Sequence, residues 1–195
     1  MIRIFDILFS FLGLLLLSPL LLILGIAVWV SSHGGIFYFQ DRVGKEGKNF
    51  RLIKFRSMVP GADKGSGLTI GEGDPRITTV GKFLRRYKLD ELPQLFNVLT
   101  GEMSIVGPRP ELRKYVDLYT PSQRKVLEVR PGITDYASID YFEENAILGS
   151  ATDPEKAYIE VIMPAKISLN MTYISNPSVF NYFRIIWKTI KKIFS

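Results

Sequence analysis

Asp90 and Glu91 stand side by side just after Arg85, Arg86 and Lys88, and shortly before the turn Gly107-Pro108-Arg109-Pro110. A second arginine turn, Arg130-Pro131-Gly132, follows. An arginine flanked by proline sits on a stiff backbone, which suits a fixed guanidinium fork aimed at phosphate. Neighbouring carboxylates at a helix start beside such cations are ionised, and the helix end itself attracts phosphate. Phosphoryl transfer uses these parts: cations to hold a diphosphate, a metal to bridge oxygens, and an in-line nucleophile. Two carboxylates repel an anionic substrate, so a divalent ion such as Mg²⁺ is expected as cofactor. Each residue also has a plain structural reading. Asp90 serves equally as an N-cap, Arg85 as part of a solvated helix face, and Arg109 and Arg130 as turn residues bonded to backbone carbonyls. Spacing alone does not name a substrate.

Composition limits the alternatives. The 195 residues suffice for one domain with a real core, and not comfortably for two. With 47% apolar and 23% charged residues, the chain is neither disordered nor a multi-span membrane protein. A formal charge of +6 points to an anionic partner. The absence of cysteine excludes disulfides, thiolate metal sites and a cysteine nucleophile. His33 is the single histidine, so a His-based triad or metal site has little to build on, and it is expected in an interfacial loop. A carboxylate, hydroxyl or amine is therefore the expected nucleophile or base.

The elements that must position these groups begin with a membrane segment. Ile7 to Val30 carries no charged side chain and is long enough for a helix that crosses a bilayer. No small-residue cleavage site follows it, which argues against a signal peptide. Ser18-Pro19 lies at its midpoint, where proline removes a backbone bond, and each half alone is too short to cross. A kinked span and a helix-break-helix that returns to the same face both remain open. Prolines in membrane helices commonly only kink them, which favours the span. Positive charge on both flanks, Arg3 before and Arg42 to Arg56 after, favours the return. At the other end Val179, Phe183, Ile186, Ile190 and Ile193 recur at helical spacing beside Lys188, Lys191 and Lys192. That pattern fits a helix lying in the membrane interface or one packed on the domain's own core. Between the ends, Ile36 to Gln40 and Phe50 to Phe55 read as strands of a hairpin around Gly44–Gly47, and 60–76 reads as a loop. Helices are expected over Val80–Tyr87, from about Glu91 to Gly101 with Asp90 as N-cap, and over 122–129 and 154–174.

Several motifs in order resemble the bacterial sugar transferases, the monotopic phosphoglycosyl transferases. They are Gln40-Asp41-Arg42-Val43-Gly44, Lys54-Phe55-Arg56-Ser57-Met58, Asp74-Pro75-Arg76-Ile77-Thr78 and Gly81-Lys82-Phe83-Leu84-Arg85-Arg86. Leu89-Asp90-Glu91-Leu92-Pro93-Gln94-Leu95-Phe96-Asn97, Val106-Gly107-Pro108-Arg109-Pro110 and Arg130-Pro131-Gly132-Ile133-Thr134 continue the series, and Arg3, Asp6 and Ser18-Pro19 match upstream. The resemblance covers nearly the whole chain and looks like the minimal catalytic form, without the extra membrane domain of larger relatives.

The resemblance implies an α+β, helix-rich fold with a re-entrant membrane helix over 1–32, broken at Ser18-Pro19. It implies a catalytic domain over 33–195 on the cytoplasmic face of the bacterial inner membrane, ending in an amphipathic interfacial helix. Asp90 is implied as nucleophile on the sugar-bearing phosphate of a nucleoside diphosphate sugar, leaving a phosphosugar-aspartyl enzyme that polyprenyl phosphate then attacks. Glu91 is implied as its support, Mg²⁺ as a bridge between Asp90 and phosphate oxygens, and Lys54, Arg56, Arg85, Arg109 and Arg130 as substrate-binding cations. Uridine is the expected nucleotide, an N-acetylated hexose the expected sugar, and the lipid bilayer a further partner. Where many members continue Arg-Pro-Gly-Ile-Thr with Gly-Leu-Ala-Gln-Val, this chain has Asp135-Tyr136-Ala137-Ser138-Ile139, which leaves the sugar open. A non-catalytic membrane adaptor of a glycan assembly complex is the alternative, and the intact dyad argues against it. No nucleic-acid partner is expected, since the basic residues flank membrane segments and the dyad rather than alternate with aromatics on one face.

Overall fold

Pro19 divides the apolar N-terminal segment. Helix α1 (Ile2–Leu16) stops one residue before α2 (Ser18–Ser31), and the two are bent by 64°. Proline cannot donate to the carbonyl four residues back, and the Ser18 hydroxyl donates to that carbonyl, Leu15 O, at 2.8 Å. In this computed structural model the described residues are 1–32, 34–62, 68–70 and 74–194; His33 and part of the 60–76 loop lie outside them. Among the described residues no single helix is long and apolar enough to cross a membrane, but α1 and α2 together are.

Both ends of the bent pair are fastened to the same body. Near the start of α1, Arg3 donates to Val98 O at 2.6 Å and Leu99 O at 3.1 Å. The buried Asp6 carboxylate accepts from Ser104 Oγ, the Ile105 amide and the Tyr182 hydroxyl at 2.9 to 3.0 Å. At the far end of α2, Leu24 and Val28 pack against Phe55 and Leu84. Between these anchorages Ile7, Leu8, Phe11, Leu15, Leu16, Leu22, Ile23 and Ile26 face outward.

Strands β1 (Phe37–Val43) and β2 (Asn49–Phe55) form the expected antiparallel hairpin, with Tyr38 opposite Lys54. Its turn closes where Glu46 and Gly47 take positive φ, and Gly44 N donates to Lys48 O. Helix α3 (Thr79–Arg86) is capped by the Thr78 hydroxyl, which accepts from Gly81 N at 2.9 Å. Helix α4 (Gln94–Thr100) ends at Gly101 in the left-handed conformation, φ 96°.

Strands β3 (Ser104–Val106) and β4 (Gly132–Thr134) pair in parallel, a contact with no signature in residues this few. Helix α5 (Arg113–Val116) lies between them in sequence, with a 3₁₀ turn over Gln123–Glu128 where a helix was expected over 122–129. The pair forms a crossing that only glycine permits. A Cβ on Gly132 would lie 2.1 Å from Gly107 N, and one on Gly107 would lie 2.4 Å from Arg130 O. The Gly-Pro-Arg-Pro and Arg-Pro-Gly turns are thus one junction, sealed by Gly132 N donating to Pro108 O at 2.9 Å. Gly132→Ala should force the two backbones apart and cost about 3 kcal/mol, a fall of roughly 10 °C in the thermal midpoint of the purified protein.

The remaining helices close the fold: α6 (Tyr136–Asp140), α7 (Glu144–Gly149), α8 (Pro154–Ala157), a π-helical turn at Tyr158–Ile162, α9 (Met163–Ser175) and α10 (Val179–Ile193). Helix α10 packs on the domain's own core along one face and leaves the other open. It buries Tyr182 and Ile185 on α1, where the Phe5 ring meets Phe183 edge-on at 5.3 Å, and exposes Phe180, Trp187, Ile190 and Phe194. The described residues are helix-rich with two small two-stranded sheets.

Candidate active site

Lys88 adopts the left-handed conformation (φ 55°, ψ 20°), and Leu89–Glu91 follow as one 3₁₀ turn. A non-glycine residue there costs on the order of 1 kcal/mol. The reversal turns both carboxylates inward, Asp90 to 5% exposure and Glu91 to 7%. Asp90 is therefore not an N-cap: it lies inside the turn, and Pro93 takes the cap position of α4.

The two carboxylates have different surroundings. Glu91 accepts from Lys54 Nζ at 2.9 Å and from both terminal nitrogens of Arg109, at 3.2 and 2.5 Å. Burial pushes Glu91 up, but Arg109 and Lys54 outweigh it and hold the group well below the usual carboxylate range. The Glu91 charge in turn keeps Arg109 firmly protonated. Burial lowers Lys54 from its ordinary value, against the pull of Glu91. Asp90, by contrast, has no hydrogen-bond or ion-pair partner among the described residues. Burial pushes its carboxyl above the ordinary aspartate value, with Glu91 adding to the effect and Lys54 opposing it. One carboxylate is clamped and the other is free to react.

Buried polar side chains fix this geometry from behind. Asn97 on α4 accepts from Ile53 N at 3.0 Å and donates to Arg51 O at 2.8 Å, so α4 grips β2 on either side of Leu52 and sets Lys54 against the dyad. Asp135 accepts from the Arg109 amide at 2.9 Å and from Ser138 N, joining the start of α6 to the arginine turn. Neither role was legible beforehand. Asn97 stood in a matched motif without an assigned task, and Asp135 heads the stretch that departs from the common pattern.

Two cavities meet at Asp90. A polar cleft of about 200 Å³ is lined by Arg56, Arg76, Arg85, Arg109, Thr69 and Tyr38, among others. A larger groove of about 590 Å³ runs from the same carboxylate between α1, α4 and α10, lined by Phe9, Leu17, Leu95, Ile186, Ile190 and Phe194. Lys54, Arg85, Asp90 and Arg109 border both. Arg85 donates to Thr69 Oγ1 at 2.7 Å, and Arg56 braces the hairpin base through Gly35 O and Phe37 O while facing the cleft. Arg130 is not brought to the dyad. It lines neither cavity, and its Nε donates to Gly101 O at 2.8 Å, the turn role open to it from sequence. Such a site can hold a phosphorylated, polar ligand and an amphiphile at one reactive carboxylate.

Among the described residues no group of three or more His, Asp or Glu side chains gathers as a metal cage. Mg²⁺ commonly binds through one or two carboxylates with phosphate oxygens and water completing its shell. The unpartnered Asp90 carboxylate fits that mode, whereas the Glu91 oxygens are taken by Lys54 and Arg109.

Comparison with known proteins places the sequence in a family. The profile of the family described as bacterial sugar transferase matches residues 1–195. A UDP-N-acetylgalactosamine-undecaprenyl-phosphate N-acetylgalactosaminephosphotransferase of Aeromonas hydrophila is 38% identical over 191 residues, 96% of this chain and 42% of the relative. A UDP-glucose:undecaprenyl-phosphate glucose-1-phosphate transferase of Escherichia coli (strain K12) is 39% identical over 196 residues, 97% of this chain and 39% of the relative. The exopolysaccharide production protein ExoY of Sinorhizobium fredii is 34% identical, with 98% of this chain and 84% of the relative covered. The chain thus spans about two fifths of the length of the first two relatives. On the match along its whole length and on these relatives, the chain belongs to the bacterial sugar transferase family.

Proposed function

We propose that the protein transfers a sugar 1-phosphate from a nucleoside diphosphate sugar, a UDP-sugar, to polyprenyl phosphate, as the first membrane step of glycoconjugate synthesis. The observation that carries the reading is the unpartnered, buried Asp90 carboxylate where a cation-lined cleft meets an apolar groove. An Asp90 oxygen attacks the sugar-bearing phosphorus as the bond to the departing UMP breaks. Lys54, Arg85 and Arg109 border the position of the diphosphate and offset its charge. An oxygen of polyprenyl phosphate then attacks the same phosphorus, and Asp90 leaves as a free carboxylate. The groove suits the acceptor's prenyl chain, and it shares Asp90 and its cations with the cleft, so both reactants reach one atom in turn. Asp90 would hold a Mg²⁺ ion, which would supply charge neutralisation at the phosphoryl group. The relatives' names, which pair a UDP-sugar with undecaprenyl phosphate, support the same donor and acceptor here.

Residues 1–32 act in this reading as a re-entrant membrane helix, with 33–195 as the catalytic domain on the cytoplasmic face of the inner membrane. The 64° bend, the outward apolar side chains and the fastening of both helix ends to one charged body support it, against the kinked span. Labels placed at residues 2 and 45 should be accessible from the same side in sealed vesicles. Opposite sides would restore the span.

The direct test is nucleotide release by purified protein given Mg²⁺, undecaprenyl phosphate and a panel of UDP-sugars. UMP from at least one donor, with a phosphosugar adduct on the protein when the acceptor is withheld, is the expected result. Release of UDP would mean that a bare sugar is passed, and no release with any donor would favour the adaptor role.

A further inference from the structure

We infer that Glu144, Asn145 and Lys166 form the subsite for the sugar ring of the donor and set which sugar is accepted. The inference rests on the transfer reading above. In a two-step exchange at Asp90 the nucleotide is present only in the first half and the lipid only in the second. The sugar 1-phosphate is present in both, so its subsite must border the polar cleft and the apolar groove alike. Among the described residues seven line both cavities: Lys54, Arg85, Asp90, Arg109, Glu144, Asn145 and Lys166. The first four are the reactive carboxylate and the cations beside it, which face phosphate. The other three are what remains for the sugar.

Their chemistry suits a neutral, hydroxyl-rich ring. Lys166 on α9 is buried to 9% exposure, and its Nζ lies 2.6 Å from Glu144 Oε2 on α7. An ion pair of this kind presents a donor and an acceptor to sugar hydroxyls without a net charge. Glu144 Oε1 takes no partner within the described residues, and neither does the half-buried Asn145 amide, which supplies a further donor and acceptor. The Lys166 ammonium also sits 5.4 Å from the Tyr158 ring centroid, in the π-helical turn that leads into α9. All three residues come from the part of the chain beyond the dyad and both arginine turns, and no hydrogen bond or ion pair within the described residues ties them to Asp90, Lys54 or Arg109. A donor bearing a carboxylate on the ring would meet Glu144 and be disfavoured.

The test is kinetic and by binding, on the full-length protein in detergent with UDP-sugars, UDP and UMP as probes. Asn145→Ala, which removes no hydrogen bond within the described residues, should lower kcat/KM for the preferred donor about tenfold. Inhibition by UMP should stay unchanged. Glu144→Gln should change the ranking of donors across the panel. In the wild type, calorimetry should give tighter binding of the preferred UDP-sugar than of UDP, and Asn145→Ala should lose that margin. A weakened grip on UMP would place these residues at the nucleotide and overturn the assignment, as would donor kinetics and ranking that do not move in either variant. If the wild type releases no UMP with any donor, the transfer reading fails. The subsite is then still judged by calorimetry, where equal binding of all UDP-sugars and UDP would overturn it.

Discussion

Asp90→Asn should reduce UMP release by about a thousandfold or more, to background, while the protein keeps its membrane association and its fold. The amide keeps the shape of the side chain and lacks the anionic oxygen that attacks phosphorus. The substitution should also leave the thermal midpoint unchanged or raised at neutral pH. Burial raises the folded pKa of Asp90 above its unfolded value of 3.8, so the ionised form is the one that folding disfavours. A group shifted in this direction contributes its stability below the unfolded pKa and loses that contribution as pH rises through the folded pKa. At neutral pH the wild type thus carries a buried anion without a partner, and asparagine removes it. A variant that is inactive and no less stable would separate chemistry from structure at this residue, whereas retained turnover would end the covalent mechanism. The same shift sets the acid limb of the wild-type profile. The nucleophile must be ionised, so kcat/KM should fall on acidification at a pH above the ordinary aspartate value.

Much of the frame that holds Asp90 was legible from residue order. The hairpin followed from two short strand-like runs on either side of the Gly44–Gly47 turn, the end of α4 from Gly101, and the break at Ser18-Pro19 from the missing amide. What escaped was contact between parts of the chain distant in sequence. Strands β3 and β4 have three residues each, too few to show a period, and their register depends on a glycine crossing that neither turn announces alone. The positive φ of Lys88 was also hidden, since nothing in a lysine side chain asks for it, and with it went the expected N-cap at Asp90. The dyad was visible as two adjacent acids, but the division between them was not. Only the fold brings Lys54 and Arg109, from opposite flanks in sequence, onto Glu91 and leaves Asp90 alone.

That division makes Glu91→Gln informative in a different way. The glutamate is the shared anion of two cations, and removing it leaves Lys54 and Arg109 facing each other beneath the surface. Breaking a buried ion pair in this manner costs about 3–5 kcal/mol. The folded pKa of Glu91 lies well below its ordinary value of 4.5, so its contribution is fully present above that value and is lost only as pH falls through the folded pKa. The deficit of the variant should therefore be undiminished across the neutral range. It should narrow in alkali, where Lys54, already lowered by burial from an ordinary 10.5, sheds its proton; Arg109 cannot do so. Activity should fall by roughly a hundredfold for a reason that is not loss of a reacting group. Lys54, released from Glu91, becomes available to Asp90 and pairs with the carboxylate that must stay free. Glu91 also raises the Asp90 pKa by its own charge, so its removal lowers that pKa. The residual activity of the variant should then show an acid limb displaced to lower pH than in the wild type, read from kcat/KM at saturating acceptor. A limb that stays in place would mean that Glu91 neither tunes Asp90 nor keeps Lys54 from it, and acts only as mortar between β2 and the arginine turn.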